Sequence, residues 1–238
     1  MWILSTVLLL FAGITVCSRE STAEEPVPEA KMPEQTSREL AISIIDKLHG
    51  KIVFDGDSVK KVDLAYTYTT DETLIHLKSL TKIETLILRD TDVTDAGLVH
   101  LEGLPNLKNL TIGQMNTSDA GIANLKGLTK LETLNLDGTK IGDAGLVHLR
   151  GLTNLQHLSV GGRWKITDAG LMHLKGLRKL EQLNVVFTNI SDAGVVHIEG
   201  MTKLRVLNIY GTRITEESLN RLEKAIPKCK IYHRLRPQ

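Results

Sequence analysis

Aromatic residues make up only 4% of this 238-residue chain. Leucine and isoleucine must therefore fill whatever core it builds. Its two cysteines, Cys17 and Cys229, provide no disulfide framework. The formal net charge of +1 supplies no bulk attraction for nucleic acid, and no nucleic-acid partner is expected. There is no G-x-S-x-G, no P-loop and no Cys/His dyad, so the chain shows neither a nucleophile elbow nor a phosphate cradle, and it calls for no cofactor. Long hydrophobic runs are also missing. Ile3 to Val16 is about fourteen mostly apolar residues, short of the roughly 20 needed to cross a bilayer but suited to a signal-peptide h-region.

That run sets off residues 1–17 as a signal or lipoprotein-like leader. Its end, ITVC, resembles a bacterial lipobox, although Val16 stands where a small residue is expected. Two outcomes follow for an exported chain: plain cleavage, or lipidation of Cys17 with membrane anchoring through the N-terminus. The product would reside in the periplasm, at the cell envelope or outside the cell. Residues 18–36 carry Glu20, Glu24, Glu25, Glu29 and Glu34 among prolines and read as a disordered acidic linker.

What the chain has in abundance is repetition. TDAGLVHLEGL at 94–104 returns as GDAGLVHLRGL at 142–152. Blocks of this kind start at Thr70, Thr94, Ser118, Gly142, Thr167, Ser191 and Thr215, spaced by 24 residues except for one step of 25. Between them runs L-x-x-L-x-L-x-x-T-x-I, as in LETLNLDGTKI. Leu134 and Leu136 alternate with Asn135, the period of a half-buried strand. Thr or Asp before an apolar run starts a helix, and Leu98, Leu101 and Leu104 give that helix one apolar face. Such a unit buries its leucines only by stacking on its neighbours.

Residues 37–69 read as an N-terminal cap. It comprises a helix over Ser37–Leu48 with a stripe of Leu40, Ile44 and Leu48 widened by Ile45, then a strand around Ile52–Phe54. The repeats occupy 70–220. Residues 221–238 form a C-terminal cap and basic tail, with a last strand near Lys230–His233 and Cys229 as a small buried hydrophobe.

On these repeats the chain resembles bacterial leucine-rich-repeat proteins of the ribonuclease-inhibitor-like superfamily. It is nearest to 24-residue repeats of the planctomycete and GALA type. The resemblance covers about residues 51–233. It implies an α/β fold: a right-handed leucine-rich-repeat solenoid, or horseshoe, with a parallel β-sheet on the concave face and short helices on the convex face. The ligase activity found in some relatives does not carry over, because no F-box-like module precedes the repeats and no ligase domain follows them.

Two columns invite chemistry. His76, His100, His148, His173 and His197 recur at one helical position, with Asn124 and Arg221 in the remaining repeats. Stacked helices lie about 8–10 Å apart, too far for side chains to converge on one ion, so the column reads as a polar edge of the convex helices and no metal is expected. Asp71, Asp95, Asp119, Asp143, Asp168 and Asp192, followed by Glu216, recur at every helix start, where capping and the helix dipole account for them. No catalytic pair breaks the period. Gly97, Gly121, Gly145, Gly170 and Gly194 read as room for close approach between repeats.

The positions the core does not dictate are the outward residues of seven strands, which together span roughly 29 Å. One column is Asp63, Ile87, Thr111, Asn135, Ser159, Asn184 and Asn208; the next is Ala65, Arg89, Gly113, Asp137, Gly161, Val186 and Tyr210. The extra residue of the 25-residue step falls in GGRWKI and puts Arg163 and Trp164 at a strand exit, with Phe187 and Tyr210 at exits of the next two repeats. Trp, Tyr and Arg are enriched in binding hot spots, but Trp164 could instead pack over the bulge and Phe187 fill the neighbouring gap. The expected function is that of a monomeric, non-catalytic protein–protein interaction module. It would bind a protein or peptide through Asn135, Ser159, Arg163, Trp164, Asn184, Phe187, Asn208 and Tyr210. The alternative is an envelope-surface structural or carbohydrate- or polymer-binding protein.

Overall fold

In the computed structural model, residues 34–162 and 164–233 are described, and they fall in one compact unit. The leader with Cys17, the linker as far as residue 33, Arg163 and the tail from residue 234 lie outside the described residues.

The first helix, α1 (Glu34–Lys47), begins at Glu34 rather than Ser37 and buries Ala41 and Ile45. Leu40 is exposed, so the stripe expected from the spacing is displaced by one position. Ile45 sets this rotation. It is fully buried and packs against Gly50, where a Cβ would stand 2.7 Å from Ile45 Cγ2. A hairpin follows, β1 (Lys51–Asp55) with β2 (Ser58–Asp63), antiparallel and bulged between Val53 and Phe54.

From β2 onward the sheet is parallel: β3 (Thr85–Ile87), β4 (Asn109–Thr111), β5 (Thr133–Asn135), β6 (His157–Ser159), β7 (Gln182–Asn184), β8 (Val206–Asn208) and β9 (Lys230–Tyr232). Among the described residues the sheet has nine strands in chain order: the seven of the repeat pattern, flanked by β1 and β9 where strands were expected around Ile52–Phe54 and Lys230–His233. Register is strict. Val62, Leu86, Leu110, Leu134, Leu158, Leu183, Leu207 and Ile231 align across the sheet, and the 25-residue step does not disturb the pairing of Leu158 with Leu183. The inward leucines form one continuous buried cluster with those of the helices, as stacking demands.

The helices are short: α2 (Asp71–Leu77), α3 (Asp95–Leu98), α4 (Asp119–Ile122), α5 (Asp143–Val147), α6 (Asp168–Leu171), α7 (Val195–Glu199) and a longer α8 (Glu216–Ala225). Those of α3, α4 and α6 continue into 3-10 turns. Thr94, Ser118 and Thr167 cap theirs, each hydroxyl accepting from the backbone N–H two residues on.

The aspartates do something the sequence reading missed. Asp71 accepts from the Thr94 N–H and the Thr94 hydroxyl, both at 2.7 Å, so its carboxylate reaches forward into the next repeat. Asp95 does the same to Ser118, Asp143 to Thr167, Asp168 to Ser191 and Asp192 to Thr215. Asp119 meets Gly142, which has no hydroxyl, and takes its N–H alone at 2.7 Å. The aspartate column is thus a ladder that ties successive repeats, rather than a set of local caps.

The glycine column follows from this ladder. A Cβ at Gly97, Gly121, Gly170 or Gly194 would collide with Oδ1 of the preceding repeat's aspartate, and at Gly145 it would lie 2.5 Å from Asp119 Oδ1. The first repeat has no aspartate before it, and Thr73 fills the same position. At the far end the position is Ser218. Burial raises the pKa of the Asp192 carboxyl, but hydrogen bonds from the Thr215 N–H and from the Ser218 and Thr215 hydroxyls outweigh this and hold it below the ordinary value.

Three residues past the end of each strand from β2 to β8 stands a left-handed residue: Tyr66, Asp90, Gln114, Gly138, Gly162, Phe187 and Gly211, all at positive φ. The following threonine closes the turn. Thr67, Thr91, Thr139, Thr188 and Thr212 donate from Oγ1 to the carbonyl three residues back at 2.7–2.8 Å. That bond explains the T of the repeat. In the 25-residue unit the threonine's place falls within Arg163–Trp164.

On the strand-entry side Glu84 bridges three repeats, meeting Lys60 at 2.6 Å and Lys108 at 2.8 Å. Hydrogen bonds from Lys108 and then Lys60 lower its pKa to about 2, against 4.5 for the free group. A lowered carboxyl pKa stabilises the fold above pH 4.5, and the contribution is lost as pH falls toward 2. In a carboxyl NMR titration Glu84 should keep its charge well below pH 4.5, and Lys108→Met should move the midpoint up. A Glu84 midpoint at the free value in the unmodified protein would refute the bridge.

Candidate functional site

The outward residues form three lanes across the sheet's open face. The strand register makes the first Lys61, Thr85, Asn109, Thr133, His157, Gln182, Val206 and Lys230, and the second Asp63, Ile87, Thr111, Asn135, Ser159, Asn184, Asn208 and Tyr232. The third, from Ala65 to Tyr210, lies just past the strand ends. From β4 to β9 these lanes hold amide and hydroxyl groups with Asp137 as their one carboxylate.

Their side chains are held in place. Oδ1 of Asn135, Asn184 and Asn208 accepts from the backbone N–H two residues on, at 2.9, 3.3 and 3.2 Å. Each asparagine is therefore fixed through its oxygen and presents its N–H2. Asn184 Nδ2 donates to Ser159 Oγ at 2.7 Å, and Ser159 donates to Asp137 at 2.6 Å. Asp137 also accepts from the Gly161 N–H at 2.7 Å. Among the described residues Asn135 and Asn208 have no protein partner for Nδ2, so both donors face outward.

Two depressions meet at the C-terminal half of the face. One, of about 370 Å³, is lined by Asn135, Ser159, Asn184, Asn208 and Tyr232 among others. The other, of about 450 Å³, is lined by Val186, Phe187, Asn208, Tyr210, Ile231, Tyr232 and His233. Asn208 and Tyr232 belong to both. Phe187 and Tyr210 pack edge to face with centroids 5.3 Å apart at 82°. Phe187 leans over Gly211, where a Cβ would be 2.5 Å from its ring, yet it stays 44% exposed, and Tyr232 is 45% exposed. An aromatic residue at φ +53° is strained, and such strain persists where surrounding structure enforces it.

Six of the eight residues expected at the site, Asn135, Ser159, Asn184, Asn208, Phe187 and Tyr210, thus line these depressions. Arg163 lies outside the described residues. Trp164 is half exposed and lines neither depression. The register also revises the aromatic rim. Phe187 shares the left-handed lane with Gly162 and Gly211, whereas Tyr210 lies one lane inward beside Val186. Tyr232 was missed, because β9 lacks the leucine pattern that marks the other strands. Counting 24 residues on from Asn208 would have found it.

The histidine column sits between helices. Burial and then the Lys78 charge lower the pKa of His100 against the pull of Asp71, and burial and then Arg150 lower that of His173 against Asp143. The Arg150 guanidinium contacts Nδ1 of His173, while Nδ1 of His100 and of His197 is buried with no hydrogen-bond partner among the described residues. Imidazoles with lowered pKa values stabilise the fold above pH 6.5, and that contribution is lost as pH falls below it. His100 and His173 should therefore titrate below 6.5 by NMR, and His100→Asn should reduce the stability lost between pH 7 and 5. Among the described residues no group of three His, Cys, Asp or Glu side chains converges as metal ligands would. Cys229 packs partly against the core, and burial raises its pKa, as for an inert thiol.

A family model described as leucine-rich repeat matches residues 76–101, 127–149 and 176–198. Among solved structures, an internalin (inlF) from Listeria monocytogenes is 24% identical with a TM-score of 0.58 over 69% of this chain, which spans 44% of the internalin chain. An internalin C2 (inlC2) from the same species is 23% identical with a TM-score of 0.56, covering 74% of this chain and 81% of its own. No curated protein sequence matches the chain. The stacked 24-residue units, the parallel sheet with its short helices and these matches together show that the chain carries leucine-rich repeats folded as a leucine-rich-repeat solenoid.

Proposed function

We propose that the protein is a non-catalytic interaction module that binds a protein or peptide across the C-terminal half of its open sheet face. One observation carries this reading: two confluent depressions in which fixed amide donors lie beside exposed aromatic rings, one of them strained. Fixed amides match the main-chain groups of an extended chain, and exposed aromatics supply hot-spot area. Export belongs to the proposal and rests on the leader. Mass spectrometry of envelope and secreted fractions should then find the chain without its leader, cut directly before Cys17 if that residue is lipidated; an intact Met1 form in the cytoplasm would refute export.

Crosslinking capture with the unmodified chain and with Phe187→Gly tests the site. Glycine relieves the strain at φ +53°, so the fold should be unchanged or up to about 1 kcal/mol more stable while partner recovery falls. Equal recovery by both proteins would sink the site. Capture of glycans alone, with no protein, would favour the carbohydrate alternative.

A further inference from the structure

We propose that the segment this face accepts is acidic and inserts a large apolar or aromatic side chain among Phe187, Tyr210 and Tyr232; this rests on the interaction reading above. The notch of about 450 Å³ has room for such a side chain, and Val186 and Ile231 add aliphatic lining to its three rings. The sign of the charge comes from the groups around it. The Lys230 ammonium stands 4.7 Å from the centroid of the Tyr232 ring, on the open face, and has no ion-pair partner among the described residues.

Along the adjoining strand-entry rim, a depression of about 500 Å³ is lined by Lys203, Arg205 and Lys228 together with Glu181, Thr202 and Leu204. Glu181 is its one carboxylate, and Arg205 pairs with it at 3.4 Å. Lys203 and Lys228 have no ion-pair partner among the described residues. Asp137, the carboxylate on the face between β4 and β9, is already occupied by the Ser159 hydroxyl and the Gly161 N–H. The C-terminal end of the sheet therefore sets the Lys230 cation beside an exposed ring, with the cations of Lys203 and Lys228 at its strand-entry rim. A segment that alternates carboxylates with aromatic side chains complements both features at strand spacing, and a basic segment meets repulsion.

Three blocked pentapeptides test this against the full chain: one alternating glutamate and phenylalanine, one alternating lysine and phenylalanine, and one alternating glutamate and alanine. A heparin hexasaccharide serves as a purely anionic probe. The glutamate–phenylalanine peptide should bind and shift the NMR signals of Phe187, Lys230 and Tyr232. The other three probes should bind at least about tenfold more weakly. Lys230→Glu, an exposed change whose folding circular dichroism can confirm, should cost about tenfold, and affinity should fall steeply as salt rises to about 1 M. Preference for the lysine peptide at the same face would overturn the inference and leave the interaction reading standing. So would equal binding of the alanine peptide or the hexasaccharide. Shifts confined to the convex helices would overturn both. Absence of binding by every peptide up to millimolar concentration would overturn the acidic-segment proposal, and capture through Phe187 would then decide the broader reading separately.

Discussion

Gly145→Ala should destabilise the protein by about 2 kcal/mol in urea unfolding, yet be neutral or slightly stabilising once Asp119 is also alanine. The added methyl would sit 2.5 Å from Asp119 Oδ1, which is held there by the Gly142 N–H. Its other neighbours, Asp119 Cγ and Ile141 Cβ, are 3.4 Å away and need give only slightly. Removing the carboxylate removes the collision, after which alanine's higher helix propensity, about 1 kcal/mol over glycine, works in favour of the change. Asp119→Ala alone should cost about 1–3 kcal/mol, because it leaves the Gly142 N–H without its partner. If Gly145→Ala costs the same in both backgrounds, the ladder does not account for the glycine column.

Leu134→Ala should have the largest effect, about 3–5 kcal/mol. Leu134 lies at the middle of the middle strand, 1% exposed, between Leu110 and Leu158. Repeats are coupled only to their neighbours, so a cavity there weakens the link between the two halves as well as the total. Trp164, the only tryptophan among the described residues, reports on the C-terminal half. Its fluorescence transition and the circular dichroism transition should coincide in the unmodified protein and separate in Leu134→Ala. A single coincident transition shifted by less than about 1 kcal/mol would contradict the picture of one shared core.

The period, the inward leucines and the outward lanes were legible because each is a property of one unit repeated. What escaped lay between units or broke the local rule. The bond from Asp71 to Thr94 joins residues one repeat apart, and within one unit the aspartate looks like an ordinary helix start. The clue was in one exception, Thr73, where no aspartate precedes. The left-handed lane escaped because Tyr66 and Phe187 are not turn formers by propensity. Leu40 misled because spacing alone does not say which of two adjacent stripes meets the core.

The unit with 25 residues has a practical meaning. Its additional residue enters after the left-handed Gly162, and by Thr167 the hydroxyl and N–H are back on Asp143 at 2.6 and 2.8 Å. Strand pairing before the insertion and the ladder after it are both intact. That corner is where the scaffold tolerates changes of length, so a grafted loop or reporter tag placed between Gly162 and Lys165 would be carried as cargo while the flanking coils keep their stacking.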